Sequence, residues 1–180
     1  MVAQKDAVEL AEKATTVAEL VNIYPGMKAM CDDLARITED TDSTQAGQDA
    51  ASIMESILSA ETEEGVFAAQ EGGSLSTQDY VNKPFRLLPE NVQFRKSTIE
   101  GQGLPFYALM RVTDEETGDE LVVNGGGNSF VSVLWKLIQL GALEGYGKSG
   151  GRMFMVAEKG TQSGFTVLLL KPLASKRDDA

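Results

Sequence analysis

The sequence predicts a mixed α+β, mostly β protein: a five-stranded Greek-key barrel with one helix between strands 3 and 4, preceded by an acidic helical N-terminal segment. Apolar residues recur at helical spacings up to about residue 60 and alternate at strand spacing after Tyr80. Charge changes at the same point, because residues 1–79 contain 16 acidic and 4 basic side chains and residues 80–180 contain 11 and 12. The chain is therefore divided into an acidic helical segment (1–60), a flexible linker (61–79), a barrel domain (80–174) and a short tail (175–180).

The acidic segment is predicted to contain three helices. Apolar residues from Ala7 to Tyr24 lie on one helical face, Pro25-Gly26 breaks the pattern, and a second helix then runs to about Thr38. A third helix ends near Leu58, and the acidic, then Gly/Ser-rich stretch after it has the composition of a linker. We expect the apolar faces to pack within a small bundle or against the barrel. The alternative is a dimerisation or partner-docking surface.

Five strands and one helix follow Tyr80. The strands are NVQFRKSTI, PFYALMRVTD, ELVVN, RMFMVAE and FTVLLLKPL, and a largely apolar helix from about Ser129 to Leu140 separates the third strand from the fourth. This order is the layout of the oligonucleotide/oligosaccharide-binding (OB) fold, a small Greek-key barrel closed at one end by its helix. Large aromatic side chains with apolar neighbours are expected inside the barrel. They are Phe94, Phe106, Trp135 and Phe165.

The composition argues against several classes of enzyme. The chain has no histidine and one cysteine, Cys31, so it lacks the usual general base, the commonest zinc ligand and a CxxC metal site. We predict no enzymatic activity, no cofactor and no metal. A carboxylate enzyme using Glu158 or the stretch from Asp114 to Glu120 ranks last among our hypotheses, because a solvated hairpin turn explains those acidic residues.

The tripeptide Gly147-Lys148-Ser149 matches the end of a nucleotide-binding phosphate loop, but its surroundings do not. Such a loop needs a glycine five positions earlier, where this chain has Ala142. It must also leave a strand and open a helix, whereas here the predicted helix comes first and the strand second. We therefore interpret this segment as an ordinary helix-to-strand loop.

Two further features bear on location. The sequence contains no apolar run long enough to cross a membrane, and its N-terminus is acidic and amphipathic, unlike a signal peptide. We expect a cytoplasmic protein that does not associate with membranes.

The barrel region resembles the single-stranded DNA-binding proteins of bacteriophages, which build one OB barrel per subunit. The resemblance covers roughly residues 80–173. It rests on VNKPFRLLPENVQFRKS, a hairpin, VVNGGGNSFVSVLWKLIQLGAL with its Gly-rich turn and helix, and the final hairpin GRMFMVAEKGTQSGFTVLLLKPL. It implies a non-enzymatic protein that coats and protects single-stranded DNA during phage replication or recombination in the host cytoplasm. The acidic N-terminal helices would then mediate homo-oligomerisation or recruit replication and recombination proteins.

Sequence-independent binding of a single strand requires cationic groups along the phosphates and aromatic rings on which bases stack. Alternation places Tyr107 and Arg111 on one face of the second strand, and Arg152 and Phe154 on one face of the fourth. The loop before the fourth strand offers a ring and a cation as a flexible clamp on the strand, and the loop after it offers a further cation. The candidate nucleic-acid-binding residues are Arg95, Lys96, Tyr107, Arg111, Tyr146, Lys148, Arg152, Phe154 and Lys159.

A second hypothesis assigns the function to the other end of the chain. In it, the protein is a protein-interaction or virion-associated module whose acidic helices form the working surface, with the barrel as scaffold. The nearly neutral charge of residues 80–180 favours this alternative. Under the first hypothesis, the acidic segment is also able to fold back on the cationic groove and compete with DNA.

Overall fold

A computed structural model of the chain describes residues 19, 21, 24–39, 58, 74–97, 103–162 and 164–178. These residues form a mixed α+β fold in which a curled, open seven-stranded sheet makes a half-barrel accompanied by two helices. The elements are α1 (25–39), β1 (Ser74–Ser76), β2 (Pro84–Leu87), β3 (Val92–Lys96), β4 (Phe106–Asp114), β5 (Glu120–Gly125), α2 (Asn128–Gln139), β6 (Arg152–Gly160) and β7 (Thr166–Pro172). Apart from single positions, the helices predicted over 7–24 and near residue 58 lie outside the described residues.

The strands lie in the order β1-β5-β4-β2-β6-β7, and β3 pairs with β4 beside β2. Within this order β6 returns after α2 to lie next to β2, which gives β6-β2-β4-β5 the spatial sequence of a Greek key. All pairings are antiparallel except that of β1 with β5. The sheet therefore has more strands than the five predicted, and it is open where the prediction has a closed barrel.

The two additional strands are both short. β2 begins at Pro84 and is separated from β3 by a single 3-10 turn at Pro89–Asn91. Proline is tolerated at the first position of a strand and favours such a turn, so one extended segment is divided in two. β1, with the sequence Ser-Leu-Ser, lies inside the stretch predicted as a flexible linker and pairs in parallel with β5. The sequence Ser-Leu-Ser shows no strand pattern of its own. The pairing with β5 is what holds these residues in a strand.

The core lies on the concave side of the sheet. β4 turns alternate side chains inward, and α2 packs Phe130, Val131 and Leu134 against them. At Gly125 a β-carbon would lie 2.7 Å from the Phe130 ring, so this position must be glycine for α2 to approach. The principal inward residues of the sheet are Phe85, Leu87, Phe94, Phe106, Ala108, Met110, Val112, Val123, Phe154, Val156 and Leu170.

Helix α1 is part of this core. Its buried residues Met30 and Leu34 join the core cluster, and Thr38 continues the same face at a spacing of four. The Asp33 carboxylate accepts hydrogen bonds from Trp135 Nε1 at 2.8 Å and from Gln139 Nε2 at 3.3 Å, both on α2. The described part of the acidic segment therefore packs against the sheet domain, as one of the two sequence interpretations expected.

The chain between β1 and β2 runs from β5 to β6. The Thr77 N–H donates to Asn124 O at 2.8 Å beside β5, and Val81 forms an isolated parallel bridge with Val156 of β6. Between them Tyr80 is buried, with its ring 5.7 Å from that of Phe85 in an edge-on arrangement. We call residues 77–81 the strap, because they connect β5 to β6.

Within the described ranges, neither helix combines the length and the apolar character needed to cross a lipid bilayer.

Candidate functional site

The convex side of β3, β4 and β5 carries a mixed polar and aromatic surface. Inward residues of β4 are buried, while Tyr107, Leu109 and Arg111 point to the opposite side. The strand register adds residues from β3 and β5 to this side, because side chains directly opposite one another share a face. We call this surface the outer face. It consists of Gln93, Arg95, Tyr107, Leu109, Arg111, Val122 and Asn124.

Arg95 and Tyr107 are a cross-strand pair at one end of the outer face. Paired residues of antiparallel strands have β-carbons about 4.5–5.5 Å apart, which brings the guanidinium within reach of the ring. Arg95 Nη2 donates to Gln93 Oε1 at 3.1 Å, and both residues belong to this face. Arg111 is exposed and lies opposite Val122, about 13 Å along β4 from Tyr107. The outer face therefore carries two cationic side chains, Arg95 and Arg111, and one half-buried aromatic ring, Tyr107.

Two charged residues, Arg86 and Glu120, lie beside the outer face, each opposite Thr113 of β4. Arg86, on β2, forms a bidentate ion pair with Glu115, in which Nη2 donates to Oε2 at 3.1 Å. Glu120 lies opposite Thr113, at the end of the face remote from Tyr107. Arg95 and Arg111 contribute two positive charges to the outer face itself.

Lys96 is not part of the outer face, contrary to the sequence prediction. It pairs with the inward Phe106, and consecutive residues of a strand point to opposite sides of the sheet. Its Nζ lies 3.9 Å from Glu39 Oε1 at the end of α1. Alternation therefore separates Lys96 from Arg95.

Phe154 and Tyr146 are buried, so neither presents an exposed stacking ring, and these two expectations were wrong. Phe154 pairs with Phe85 across β2 and β6, with ring centres 6.3 Å apart. Arg152 donates to Ala142 O at 2.7 Å, and its guanidinium lies 5.7 Å from the Tyr146 ring and 5.4 Å from the Phe154 ring. These three candidates do meet, but they form a packed cluster under the loop between α2 and β6.

Lys148 lies in the loop between α2 and β6, which also holds the C-terminal segment. The Lys148 N–H donates to Asp178 Oδ2 at 2.7 Å, and the Asp178 N–H donates to Gly145 O at 2.7 Å. Arg177 lies 5.8 Å from the Tyr146 ring. The Lys148 side chain is exposed, but the turn beneath it is occupied by the chain's own carboxylate.

Lys159 is exposed near the end of β6. The sequence had suggested that it lies in the loop after this strand. The turn beyond is held by Thr161, whose N–H donates to Phe165 O at 2.7 Å and whose hydroxyl accepts from the Phe165 N–H at 3.1 Å. Phe165 is 72% exposed, which corrects its assignment to the core. The apolar run from Val167 to Leu170 that follows it in the sequence had favoured a core position.

The carboxylates proposed for the enzyme hypothesis have structural contacts. Asp114 accepts from the Tyr80 hydroxyl, from the Glu116 N–H at 2.8 Å and from the Thr117 N–H at 3.1 Å. These hydrogen bonds, with that from Tyr80 the largest influence, hold the pKa of the Asp114 carboxyl below its usual value. Burial, followed by this hydrogen bond, raises the pKa of Tyr80 well above its usual value. In the part of the chain that the structure describes, no group of three acidic, histidine or cysteine side chains is arranged to hold a metal ion.

Comparison of the chain with models of known protein families, with curated proteins and with solved structures finds no significant match.

Proposed function

We propose that the protein binds single-stranded DNA without sequence preference along the outer face and protects it during replication or recombination. The observation that carries this proposal is the pairing of Tyr107 with Arg95, with Arg111 on the same face of β4. A base stacked on an aromatic ring contributes about 1–3 kcal/mol, and every base has a face that can stack. Arg95, which lies on β3 opposite the ring, and Arg111, about 13 Å from the ring along β4, neutralise phosphates of the same strand.

The strand order supports an OB-type arrangement for this proposal. β2 and β3 both pair with the same edge of β4, at residues 113–114 and 106–110, so together they act as one bent strand. Counted in this way, the sheet has five principal strands with α2 between the third and the fourth, and β1 is an addition at the edge of β5. In OB folds, oligonucleotides bind across the second and third strands, which correspond here to β4 and β5.

The position of the acidic helix α1 also supports this proposal. Met30 and Leu34 attach it to the concave side, whereas the outer face is convex. The acidic residues of α1 therefore lie across the sheet from Arg111 and do not cover it. The same packing weakens the protein-interaction alternative, because the apolar stripe of α1 is already buried.

The proposal is tested by fluorescence anisotropy of a labelled oligothymidine and of a duplex of equal length, at two salt concentrations. We expect tighter binding to the single strand, weakened by salt because phosphate contacts release counterions. Folded protein that binds neither nucleic acid would contradict the proposal and favour the protein-interaction or virion-associated module. Equal binding to both would contradict the single-strand preference.

A further inference from the structure

A free strand edge and an exposed aromatic ring occur together at β7, and neither takes part in the proposed DNA site. β7 spans seven residues, has β6 as its only neighbour among the described strands, and also contacts α2. From Thr166 to Leu170 it contains no charge, glycine or proline. Proteins usually protect such an edge with one of these, because its unpaired backbone groups are a template for another strand.

The direction of the free backbone groups follows from the pairing of β7 with β6. The Leu173 N–H donates to Met153 O at 2.9 Å, so odd-numbered residues direct their backbone groups toward β6. Because this direction alternates along an antiparallel strand, Thr166, Leu168 and Leu170 direct theirs toward the free edge. Pro172 falls in the same series, where the absence of an N–H removes no bond to β6.

We propose that β7 pairs antiparallel with β7 of a second copy of this chain, about a two-fold axis at Leu168. In this register Thr166 lies opposite Leu170 of the second copy, and Leu168 lies opposite its own counterpart. Every free N–H between Thr166 and Leu170 then faces a carbonyl, and the ladder ends where Pro172 has no donor. A two-fold axis lets one surface serve both copies and closes the assembly at a dimer.

The side chains on the convex side of β7 fit the same register. Lys171 comes to lie opposite Phe165 of the second copy, and Val167 lies opposite Leu169. Phe165, which is 72% exposed in the single chain, thus gains the aliphatic stem and ammonium group of Lys171 as a partner. No two like charges face one another across the axis. This complementarity is why a second copy, and not an unrelated strand, is the expected occupant.

Sedimentation velocity of the full chain, without nucleic acid, tests this dimer independently of DNA binding. We expect twice the chain mass of 19.3 kDa. A variant with Val167→Lys and Leu169→Lys sets lysines opposite lysines across the axis and is expected to sediment as a monomer. A variant with Val167→Lys and Leu169→Glu sets opposite charges there and is expected to remain a dimer.

The Leu75→Lys variant is the control, because Leu75 is an exposed apolar residue of β1, at the opposite end of the strand order from β7. It is expected to remain a dimer, and circular dichroism checks that every variant is folded. A monomeric wild-type protein would overturn the proposal. So would a Lys/Lys variant and a Lys/Glu variant that sediment alike, since in the proposed register like charges face one another in the first and opposite charges in the second.

Discussion

The Tyr80 hydroxyl donates a hydrogen bond to the Asp114 carboxylate, which also accepts the N–H groups of Glu116 and Thr117. One carboxylate therefore joins the strap to the turn of the β4–β5 hairpin. Both residues are buried, so the hydrogen bond between them is shielded from water. Tyr80, at the predicted start of the barrel domain, thus holds the turn end of the β4–β5 hairpin in place.

Replacing Tyr80 with phenylalanine tests the contribution of this hydroxyl. The ring remains packed on Phe85, but Asp114 loses a donor, and we expect the free energy of unfolding to fall by about 1 kcal/mol. Urea unfolding followed by circular dichroism measures the change. Tyr107→Phe is the matched control, because its hydroxyl lies on the outer face, and its effect is expected to stay within about 0.5 kcal/mol.

The same carboxylate makes stability depend on acid pH. Because hydrogen bonds lower the pKa of Asp114 in the folded state, its contribution is complete above the ordinary aspartate pKa of about 3.9. It is lost as pH falls through the lower folded value. We expect wild type to exceed Asp114→Asn in stability at neutral pH, and this difference to shrink below about pH 4. Urea titrations of both proteins across this range measure it, and a constant difference would contradict the assignment.

Gly151 is expected to be the glycine most sensitive to substitution near the α2–β6 loop. Its φ is +122°, and a β-carbon would lie 2.7 Å from the Leu87 backbone. We expect Gly151→Ala to lower the free energy of unfolding by about 2 kcal/mol or more. Gly160→Ala is the control, since nothing lies within 4 Å of its β-carbon position. Similar thermal unfolding curves for the two variants would show that the close approach at Leu87 is unimportant.

Tryptophan fluorescence reports on the packing of α1 against α2. Trp135 is the single tryptophan of the chain, and its Nε1 donates a hydrogen bond to Asp33. We expect Asp33→Ala to lower stability by about 1 kcal/mol. We also expect tryptophan emission to move to longer wavelength as the indole gains water. Asp32→Ala, on the adjacent exposed position, should leave the emission unchanged. An unshifted spectrum in Asp33→Ala would contradict the contact.

Binding of DNA is expected to respond to the outer face in two distinguishable ways. Tyr107→Ala removes a stacking ring and should weaken binding of oligothymidine about 5- to 150-fold at one salt concentration. Arg111→Gln should reduce the slope of log affinity against log salt by about 0.7, the value for one phosphate contact with a single strand. Lys28→Gln, which removes one charge from the exposed side of α1, should change neither. Equal effects of Arg111→Gln and Lys28→Gln would remove the outer face from consideration.

Some of this structure was predictable because particular strands have one-sided patterns. In β4, large apolar residues alternate with Tyr107, Arg111 and Thr113, so the buried side was evident from the sequence. The second helix of the acidic segment and the helix before β6 were predicted for the same reason, since their apolar residues recur on one face. The first two predicted strands were expected to be neighbours, but the register that sets Arg95 opposite Tyr107 and turns Lys96 away was not predicted.

Other features were not predictable because they depend on contacts distant in sequence. β6 is apolar at both alternating positions, so the burial of Phe154 is decided by its pairing with Phe85. Tyr146 lies in a glycine-rich loop, and it is buried where Arg152 and Arg177 lie 5.7 and 5.8 Å from its ring. β1 has no strand pattern at all. The outer face could therefore be located in part, whereas the cluster around Tyr146 could not be recognised as structural.

The Greek-key return of β6 to β2 has a kinetic consequence. The hairpins β4–β5 and β6–β7 each join strands that are close in sequence, and so each can form early. The seam between Phe85 and Phe154 instead closes a long loop, whose entropy must be lost before that pairing stabilises anything. The pairing of β2 with β6 is therefore expected to be the slow step of folding. Until these strands pair, the two hairpins expose unpaired strand edges, so this step sets how long the chain is open to aggregation.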